Sequence, residues 1–466
     1  MEFSKRHMWH PGSVVDRPLR SLAARVFAIR DGVSGWGRYR QEFLDSCSRS
    51  PAALQQTVAA RLERIVRHAG ELSPWYRSAW RLLQLPPIGD FVAGDLQRLP
   101  LINKETLRAH AAAMVSEVYS PEKLIESYTG GTTGIQTKIF MDPECRINRI
   151  GRQWGILQRY GYRPGMRRAL VWGVESDLLP PRGAAALKRS MRQYAASDEV
   201  LCCTVMNDEL LADYYTRLKR FRPEVMYGYP TAVARFADFI LRERLTPPAV
   251  RSIIVTAERL TDEHRVLIRR VFGGEVFDMY CTREYGCMAF ECEQHRGLHV
   301  DAESIHVEIV RDGQVLPPGE MGEIVVTDLC NYGMPFIRSR TGDLGTLSPE
   351  PCPCGLSLPL LSSLDGRATD SLVRPDGSVV VGLMLSDLFM HESGIRAAQF
   401  IQDRPDRVKV LIETTPDFSA QVEARCRAEV EALMGSEVTV VLIPVATIKR
   451  NPTSGKLQEV ICRIAR

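Results

Sequence analysis

The sequence lacks the features that would place the protein in a membrane or on a nucleic acid. No run of 18 or more apolar residues occurs among its 466 residues, which excludes a membrane-spanning helix on length alone. The formal net charge is only +4 and basic residues form no concentrated block, so no nucleic-acid partner is indicated. Residues 1–20 lack the continuous apolar core of a secretory signal, which predicts a cytoplasmic location.

Lysine is also scarce, and cysteine is dispersed. Only nine of the sixty basic residues are lysines, so a lysine inside a motif is less expected by chance than an arginine. Twelve cysteines are spread from Cys47 to Cys462, unlike the dense framework of a small disulfide-stabilised secreted domain. In a reducing compartment, the relevant question is whether some of them group as metal ligands.

The remaining composition is that of an ordinary globular protein of more than one domain. Apolar residues make up 45% and charged residues 25% of the chain, and its length exceeds what one hydrophobic core usually supports. We predict a basic N-terminal extension over residues 1–50, a large domain over 51–366 and a small C-terminal domain over 367–466. The small domain is predicted because the tail carries strands and a helix of its own.

Local signals predict a mixed α/β body. Ser50 and Pro51 are typical of an N-cap and a first helical residue, so they predict the start of a helix. This helix is predicted to end near Ser73-Pro74. Thr261 predicts the start of another helix that ends at Gly273-Gly274. Strand-like runs cover 168–174, 222–229, 250–258 and 275–280. A hairpin is predicted around Asp312-Gly313. The tail has strand patterns at 408–414 and 437–445, with a helix over 419–435 between them.

One loop is unusually bare and rich in hydroxyl groups. Residues 127–138 read SYTGGTTGIQTK, with three glycines and four threonines before Lys138. Glycines allow the backbone to approach a ligand closely, and free amides with threonine hydroxyls suit the binding of a polyphosphate. A flexible surface linker is the alternative, because glycine and threonine suit a linker as well. The loop has neither the GKS or GKT ending of a Walker A loop nor the dinucleotide-binding fingerprint.

This loop resembles the phosphate loop of the adenylate-forming superfamily, and the whole chain resembles the phenylacetate-CoA ligase family and its capsule-biosynthesis relatives. Other stretches are similar to the family's signatures in the same order: LERIVRHAGELSPWYRSAW (62–80), VMYGYPTAV (225–233), TAERL (256–260), MYCTREYGCMAFEC (279–292), GEIVVTDLCNYGMPFIRSRTGDLG (322–345), GRATD (366–370) and SGK (454–456). The resemblance implies a large adenylate-forming domain with helix-flanked sheets and a small, mobile C-terminal α+β domain.

The resemblance also implies roles for individual residues. Glu284 would hold Mg²⁺, which prefers oxygen ligands, and Asp343 would accept hydrogen bonds from the two ribose hydroxyls. The adenine would lie against Ala257, Glu258 and the ring of Tyr280. The phosphates would lie against the glycine-rich loop. The nucleotide-binding residues are therefore predicted to be Thr129, Gly130, Gly131, Thr132, Thr133, Gly134, Lys138, Ala257, Glu258, Tyr280, Asp343 and Arg367. Taken singly, Glu284 could instead cap a loop and Asp343 could belong to a turn.

The C-terminal lysine is the second predicted catalytic residue beside Glu284. Lys456 lies where the family has a lysine that bridges the carboxylate and the α-phosphate, although a solvated tail lysine is the alternative. Thr369 departs from the family, whose relatives often have an aspartate at this hinge between the domains. Hinge positions mainly absorb changes in backbone torsion angles, which threonine also allows. The departure therefore bears only on how efficiently the small domain rotates about this hinge.

Four residues are predicted to bind a structural Zn²⁺. Cys292, His299, Cys352 and Cys354 would complete a closed Cys₃His set, with His295 as the alternative nitrogen ligand. Ordinary thiols remain the competing interpretation, because a C-x-C spacing is weaker than paired C-x-x-C motifs. Cys281 and Cys287 are predicted to be core residues.

These observations predict an ATP-dependent ligase that converts a carboxylic acid to acyl-AMP and then to acyl-CoA. Aromatic residues near 172–173, 227–230 and 280–286 are compatible with an aryl or arylacetic acid, and equally with core packing, the commoner use of aromatic side chains. Transfer to an amine or a sugar, in surface-polysaccharide or secondary-metabolite biosynthesis, is a second interpretation, and a zinc-stabilised nucleotide-binding protein without catalysis is a third. The predicted partners are the acid, ATP and CoA, without nucleic acid or a membrane span, and a homodimer is left open.

Overall fold

The computed structural model of the protein describes residues 35–128, 138–173, 197–365, 371–380, 394–449 and 457–464, with 382, 385, 388–389 and 392. Its α-helices are α1 (Trp36–Ser46), α2 (Pro51–Leu72), α3 (Pro74–Leu82), α4 (Lys104–Met114), α5 (Pro143–Arg159), α6 (Asp208–Phe221), α7 (Pro230–Arg242), α8 (Asp262–Phe272) and α9 (Ala420–Met434). Short 3₁₀ turns cover Ile88–Asp90, Ala93–Arg98 and Pro121–Lys123.

The strands are β1 (Ile125–Tyr128), β2 (Lys138–Met141), β3 (Arg168–Trp172), β4 (Asp198–Cys202), β5 (Val205–Met206), β6 (Val225–Gly228), β7 (Ser252–Thr256), β8 (Glu275–Thr282), β9 (Gly286–Glu291), β10 (Leu298–Val300), β11 (Ile305–Arg311), β12 (Gln314–Val315), β13 (Met321–Asp328), β14 (Ser339–Leu347), β15 (Leu360–Asp365), β16 (Leu372–Val373), β17 (Val379–Val380), β18 (Ile395–Arg404), β19 (Arg407–Thr414), β20 (Thr439–Val445) and β21 (Val460–Cys462).

Twelve of these strands form one sheet with two halves of different character. Its order is β12-β11-β13-β14-β15-β10-β9-β8-β7-β6-β3-β4. The pairs among β4, β3, β6, β7 and β8 are parallel, whereas every pair from β8 to β12 is antiparallel. The hairpin of β8 and β9 is therefore the junction between the halves.

The parallel half is buried on both faces, which explains its continuous apolar strands. All four residues of β6 and all five of β7 are buried. Ile253 and Val255 pack into a cluster with residues of α6, α7 and α8, while Ile254 packs on the other face with residues of α1 and α5. Burial on both faces is the usual consequence of helical crossovers between parallel strands.

The first described helix is closely docked on the large sheet unit. Two glycines of α5 face α1, and a Cβ at Gly151 would lie 2.3 Å from the carbonyl oxygen of Trp36. A Cβ at Gly155 would lie 2.4 Å from the Phe43 ring. Any larger side chain would push the two helices apart, so residues 36–46 pack as part of the large unit.

A smaller unit follows at the C-terminal end. Strands β18 to β21 form a four-stranded sheet in the order β20-β19-β18-β21, and α9 packs its buried residues into the same apolar cluster. A separate small sheet pairs β17 with both β16 and β5, so residues 372–380 contact the large unit directly. The predicted fold class, a large sheet domain with a small C-terminal α/β domain, is confirmed, while the boundary at residue 366 stays a prediction.

The predicted helix ends are confirmed by their hydrogen bonds. The Ser50 hydroxyl accepts a hydrogen bond from the N–H of Ala53 at the start of α2, and the Thr261 hydroxyl accepts one from His264 at the start of α8. Helix α8 ends at Gly273, which has φ +73° as expected of a left-handed cap. No helix of the described residues is long and apolar enough to cross a bilayer. The cytoplasmic location and the homodimer remain untested predictions.

Candidate functional site

Three predicted site residues, and one aromatic residue of a predicted acid-binding segment, lie at the carboxyl ends of neighbouring parallel strands. Tyr229 follows β6, Ala257 and Glu258 follow β7, and Glu284 lies in the turn that follows β8. Ligands of open α/β sheets bind beyond this edge, because the loops there diverge and leave a crevice. The sheet order thus brings together segments that are separated by up to 55 residues in sequence.

The segment after β7 has a backbone conformation that few residues adopt. Ala257 has φ +70°, in the left-handed region. The Oε2 atom of Glu258 accepts hydrogen bonds from the N–H and the hydroxyl of Thr231, at 3.2 Å and 2.5 Å, at the start of α7. Its Oε1 atom is buried without a hydrogen-bond partner in the described residues, and burial raises the pKa of Glu258 to about 7.

The turn between β8 and β9 is held by its own backbone and by a neighbouring helix. The Thr282 hydroxyl accepts a hydrogen bond from the N–H of Tyr285 at 3.1 Å, and Gly286 has φ +75°. Arg149 of α5 donates to the carbonyl oxygen of Glu284 at 2.7 Å. The half-buried carboxylate of Glu284 makes no hydrogen bond or ion pair with the described part of the chain. It is an oxygen donor of the kind that Mg²⁺ binds.

Two tyrosines connect this hairpin to β14, which carries Asp343. The hydroxyl of Tyr280 donates to Oδ2 of Asp343 at 2.6 Å, and the hydroxyl of Tyr285 donates to Oγ of Ser339 at 2.7 Å. Burial and the adjacent Asp343 carboxylate raise the pKa of Tyr280 well above its ordinary value, so the phenol stays a donor. The turn that carries Glu284 and the strand that carries Asp343 are therefore tied together by these hydrogen bonds.

Lys138 lies at the base of the glycine-rich loop and not among the strand ends. It begins β2, which pairs with β1 so that Lys138 lies opposite Tyr128. Its ammonium group forms an exposed ion pair with Glu126 at 2.6 Å. Ile139, the next residue, is buried in the same apolar cluster as Tyr285, so the base of the loop and the Glu284 hairpin share a core.

Aromatic side chains lie at the predicted acid-binding segments. The ring of Trp172, at the end of β3, stacks on Tyr229 with centroids 4.5 Å apart and lies 6.0 Å from Tyr227. Cys281 and Cys287, predicted to be core residues, are half-buried and pack against a buried apolar cluster that includes Ile254 and Phe290. The two cysteines lie opposite each other on β8 and β9, next to the turn.

The four predicted metal ligands come together at the opposite end of the same hairpin. Cys292 directly follows β9, His299 lies on β10, and Cys352 and Cys354 lie in the connection from β14 to β15. Their ligand atoms all lie within 4.8 Å of one another. Sγ of Cys292 is 3.7 Å from Sγ of Cys352, and Sγ of Cys354 is 3.3 Å from Nε2 of His299.

These distances fit a tetrahedral zinc site. Zn–S bonds of about 2.3 Å in a tetrahedron separate two sulfurs by about 3.8 Å, close to the Cys292–Cys352 distance. Nδ1 of His299 is 3.3 Å from the carbonyl oxygen of Leu358. If Nδ1 carries the proton and donates it to this oxygen, the lone pair of Nε2 is available to a metal ion among the thiols. Burial lowers the pKa of His299, which favours the neutral ring that a metal requires.

The alternative ligand His295 is used elsewhere. Its Nδ1 is 3.1 Å from Arg265 and 3.1 Å from a carboxylate oxygen of Glu291, and its Nε2 is 3.6 Å from Glu275. These polar partners direct the ring away from the cluster. Between the two candidate nitrogens, the geometry favours His299.

Several predicted residues lie outside the described part of the chain: Thr129, Gly130, Gly131, Thr132, Thr133, Gly134, Arg367, Thr369 and Lys456. Conversely, sequence reasoning did not single out Tyr285, Thr231 or Arg149. Tyr285 stands within the TREYG stretch, but its partner Ser339 is 54 positions away, and no spacing rule marks Arg149.

Comparison with known proteins gives a consistent set of relatives. Residues 372–463 match the family described as the CapK C-terminal domain. A phenylacetate-coenzyme A ligase of Thermus thermophilus is 27% identical over 67% of this chain and 70% of that protein. Protein CapK of Staphylococcus aureus is 24% identical over 69% and 70%, and a phenylacetate-coenzyme A ligase of Escherichia coli is 23% identical over 85% and 92%.

Solved structures support the fold at lower identity. A 2-hydroxyisobutyryl-CoA ligase, solved with 2-HIB-AMP and CoA in the thioesterification state, superposes with a TM-score of 0.61 at 19% identity, covering 89% of this chain and 91% of that one. The same ligase in its postadenylation state gives a TM-score of 0.55 at 20% identity, covering 87% and 88%. At these identities the likeness establishes the shared architecture.

Proposed function

The chain belongs, at distant identity, to the phenylacetate-CoA ligase and CapK family of the adenylate-forming superfamily, and on this premise we propose that it is an ATP-dependent, AMP-forming ligase. It joins a carboxylic acid, of the aryl or arylacetic type, to coenzyme A. The observation that carries the proposal is the 2.6 Å hydrogen bond from Tyr280 to Asp343, with Glu284 on the same hairpin. This hydrogen bond connects the 279–292 motif to the 322–345 motif at the carboxyl edge of the sheet, where a nucleotide is expected to bind.

The reaction has two steps. A carboxylate oxygen of the acid attacks the α-phosphorus of ATP, the bond from that phosphorus to the bridging oxygen breaks, and pyrophosphate leaves with the electron pair. The CoA thiol then loses its proton to solvent, its sulfur attacks the acyl carbon, and AMP departs with the electrons of the broken C–O bond. Both steps need charge compensation at the α-phosphate.

The described residues divide this work among themselves. Asp343, oriented by Tyr280, accepts hydrogen bonds from the ribose hydroxyls. The backbone at Ala257 and Glu258 borders the adenine. Glu284 would hold Mg²⁺, which neutralises phosphate charge when bound. The glycine-rich loop 129–134, Lys138, Arg367 and Lys456 complete the proposed site. Trp172, half-buried beside the buried Tyr227 and Tyr229, would border the ring of the acid.

The Cys₃His cluster holds a structural Zn²⁺ in this proposal. Four protein ligands close the coordination shell, so no position remains for substrate. The ion would join the end of β9, strand β10 and the β14–β15 connection, all next to the hairpin that carries Glu284.

A pyrophosphate-release screen tests the proposal. Aryl, arylacetic, fatty and amino acids are incubated with ATP and Mg²⁺, with and without CoA, using wild-type protein and the Glu284→Gln variant. We expect release with an aryl or arylacetic acid, CoA-dependent turnover, and a loss of about 10²- to 10³-fold in the variant. ATP binding without pyrophosphate release for every acid would refute the proposal and favour a non-catalytic nucleotide-binding protein.

A second acceptor class is favoured by one specific observation. The match of residues 372–463 is to the CapK C-terminal domain, and the Staphylococcus aureus relative is a CapK protein. In this alternative the acyl-adenylate passes to an amine or a sugar hydroxyl. Turnover that is independent of CoA but dependent on an added amine or sugar would select it.

A further inference from the structure

The side chain of Arg149 reaches the backbone of Glu284 from outside the hairpin. Its Nη2 atom donates to the Glu284 carbonyl oxygen at 2.7 Å and to Oδ2 of Asp328 at 2.6 Å. The side chain of Arg149 is 14% exposed and that of Asp328 is 1% exposed, so both charges lie away from solvent. Hydrogen bonds of this charge-assisted kind are short and directional.

Asp328 is itself immobilised, which makes Arg149 a rigid link. The other oxygen of Asp328 accepts hydrogen bonds from the N–H groups of Cys330 and Asn331, at 2.8 Å and 3.3 Å. Arg149 is held at its other end by α5. A guanidinium fixed by a helix and by an anchored carboxylate can hold a third group at a set distance, here the carbonyl of Glu284.

The neighbouring Gly286 shows how closely this arginine approaches the turn. A Cβ at Gly286 would lie 3.2 Å from Cδ of Arg149, and the residue has φ +75°. The arginine stem therefore packs directly on the turn in addition to its hydrogen bond. The carboxylate of Glu284 is left without a partner in the described residues, while its backbone is held in place.

We propose that Arg149 is the positioning residue of the metal-binding turn: it fixes the backbone of Glu284 so that the carboxylate is preorganised toward Mg²⁺ bound to ATP. The inference rests on the proposed function, in which Glu284 holds that ion. Residues that orient a metal ligand typically change metal affinity by about 10- to 100-fold when they are removed. Arg149 does not touch the reacting atoms, so its effect is on Mg²⁺ affinity and, through it, on ATP binding.

Arg152 offers a matched control on the same helix. It forms a buried ion pair with Asp301, with side-chain exposures of 3% and 1%, and within the described residues its hydrogen bonds go to Asp301 and not to the turn. Removing either arginine leaves a buried carboxylate unpaired and should destabilise the fold to a similar extent. Only loss of Arg149 should change the response to Mg²⁺.

The experiment compares Arg149→Lys and Arg149→Met/Asp328→Asn with Arg152→Lys and Arg152→Met/Asp301→Asn in the full chain. Calorimetric titration with ATP at a series of Mg²⁺ concentrations gives the half-saturating Mg²⁺, and thermal unfolding gives Tm. The double variants remove the buried unpaired charge, and the lysine variants keep a positive charge at each position. We expect the half-saturating Mg²⁺ to rise about 10- to 100-fold in the Arg149 double variant, and less in Arg149→Lys.

Two outcomes separate the inference from the proposed function. If the wild type releases pyrophosphate with an acid but both Arg149 variants need Mg²⁺ within twofold of the wild-type amount, the positioning role is overturned and the function stands. An Arg152 series that shifts the Mg²⁺ requirement as much as the Arg149 series also overturns it. If the wild type binds ATP without dependence on Mg²⁺ and releases no pyrophosphate, the proposed function fails and the role of Arg149 fails with it.

Discussion

The two ends of the β8–β9 hairpin differ in how completely the described structure builds them. At the far end, Cys292, His299, Cys352 and Cys354 already place their ligand atoms within 4.8 Å of one another. At the turn, Glu284 has an unpartnered carboxylate among the described residues, and Asp343 reaches the hairpin through Tyr280. The far end is a complete set of metal ligands, whereas the turn holds only part of the proposed nucleotide site.

This difference follows from what each end has to do. A structural ion needs a complete ligand shell in every state of the protein, so its ligands can be packed and buried. A ligase site must admit ATP and an acid and later release AMP, so part of its charge compensation has to come from elements that arrive with the substrates. The comparison predicts that substitutions at the turn affect chemistry, whereas substitutions at the cluster affect stability.

The largest effect is expected for the lysine assigned to transition-state charge. Lys456→Ala should slow adenylation by about 10²- to 10³-fold and leave ATP binding nearly unchanged, because the lysine acts on charge that develops during the reaction. Pyrophosphate release and ATP titration measure the two quantities. The matched control is Lys449→Ala, an exposed lysine of the same tail. Full activity of the Lys456 variant would remove this lysine from the mechanism.

The cluster should show the opposite behaviour. Cys352→Ser is expected to lose bound zinc and to lower the free energy of unfolding by about 3–4 kcal/mol, the contribution of an ion present at roughly 100 to 1,000 times its dissociation constant. Turnover per folded molecule should stay within about twofold. Metal analysis and urea unfolding provide the measurements, with the exposed Cys202→Ser as control. Unchanged zinc content and stability would show that the four residues do not form a metal site.

The link between the hairpin and β14 should have an intermediate effect. Tyr280→Phe removes the hydrogen bond to Asp343 and should raise the dissociation constant of ATP about tenfold, since a hydrogen bond to a charged group contributes about 1.5 kcal/mol or more. Tyr76→Phe is the control, because the hydrogen bonds of that buried hydroxyl within the described residues go to the backbone of Pro335 and Ile337. Equal ATP affinities in the two variants would argue against the assignment of Asp343.

The smallest effect concerns the carboxylate beside the proposed adenine site. The pKa of Glu258 is raised from 4.5 to about 7, so the folded chain keeps a proton that the unfolded chain has released within this interval. The free energy of unfolding should therefore fall as the pH rises from about 4.5 to 7. Glu258→Gln removes this titration and should be more stable than the wild type above pH 7, by at most about 3 kcal/mol. Parallel stability curves for both proteins across this range would contradict the assignment.

Local patterns predicted a large part of the fold. The caps at Ser50, Thr261 and Ser419 lie at the predicted helix starts, because an N-cap depends only on residues within one turn. The strands at 252–256 and 275–282 were also predicted in place. Strand β18 was not predicted, although it is the ten-residue strand that pairs with β19 and β21.

By itself, the sequence determined the local elements, because these depend on short-range spacing. It also carried the family resemblance and the candidate set of cysteines, which rest on residue types that recur in order along the chain. Only the tertiary structure decided that His299 and not His295 joins the cysteines, that Tyr280 holds Asp343, and that Arg149 reaches the Glu284 turn. Those contacts depend on which strands become neighbours in a sheet and on how a distant helix packs against it. Residue spacing along the chain carries no direct record of either.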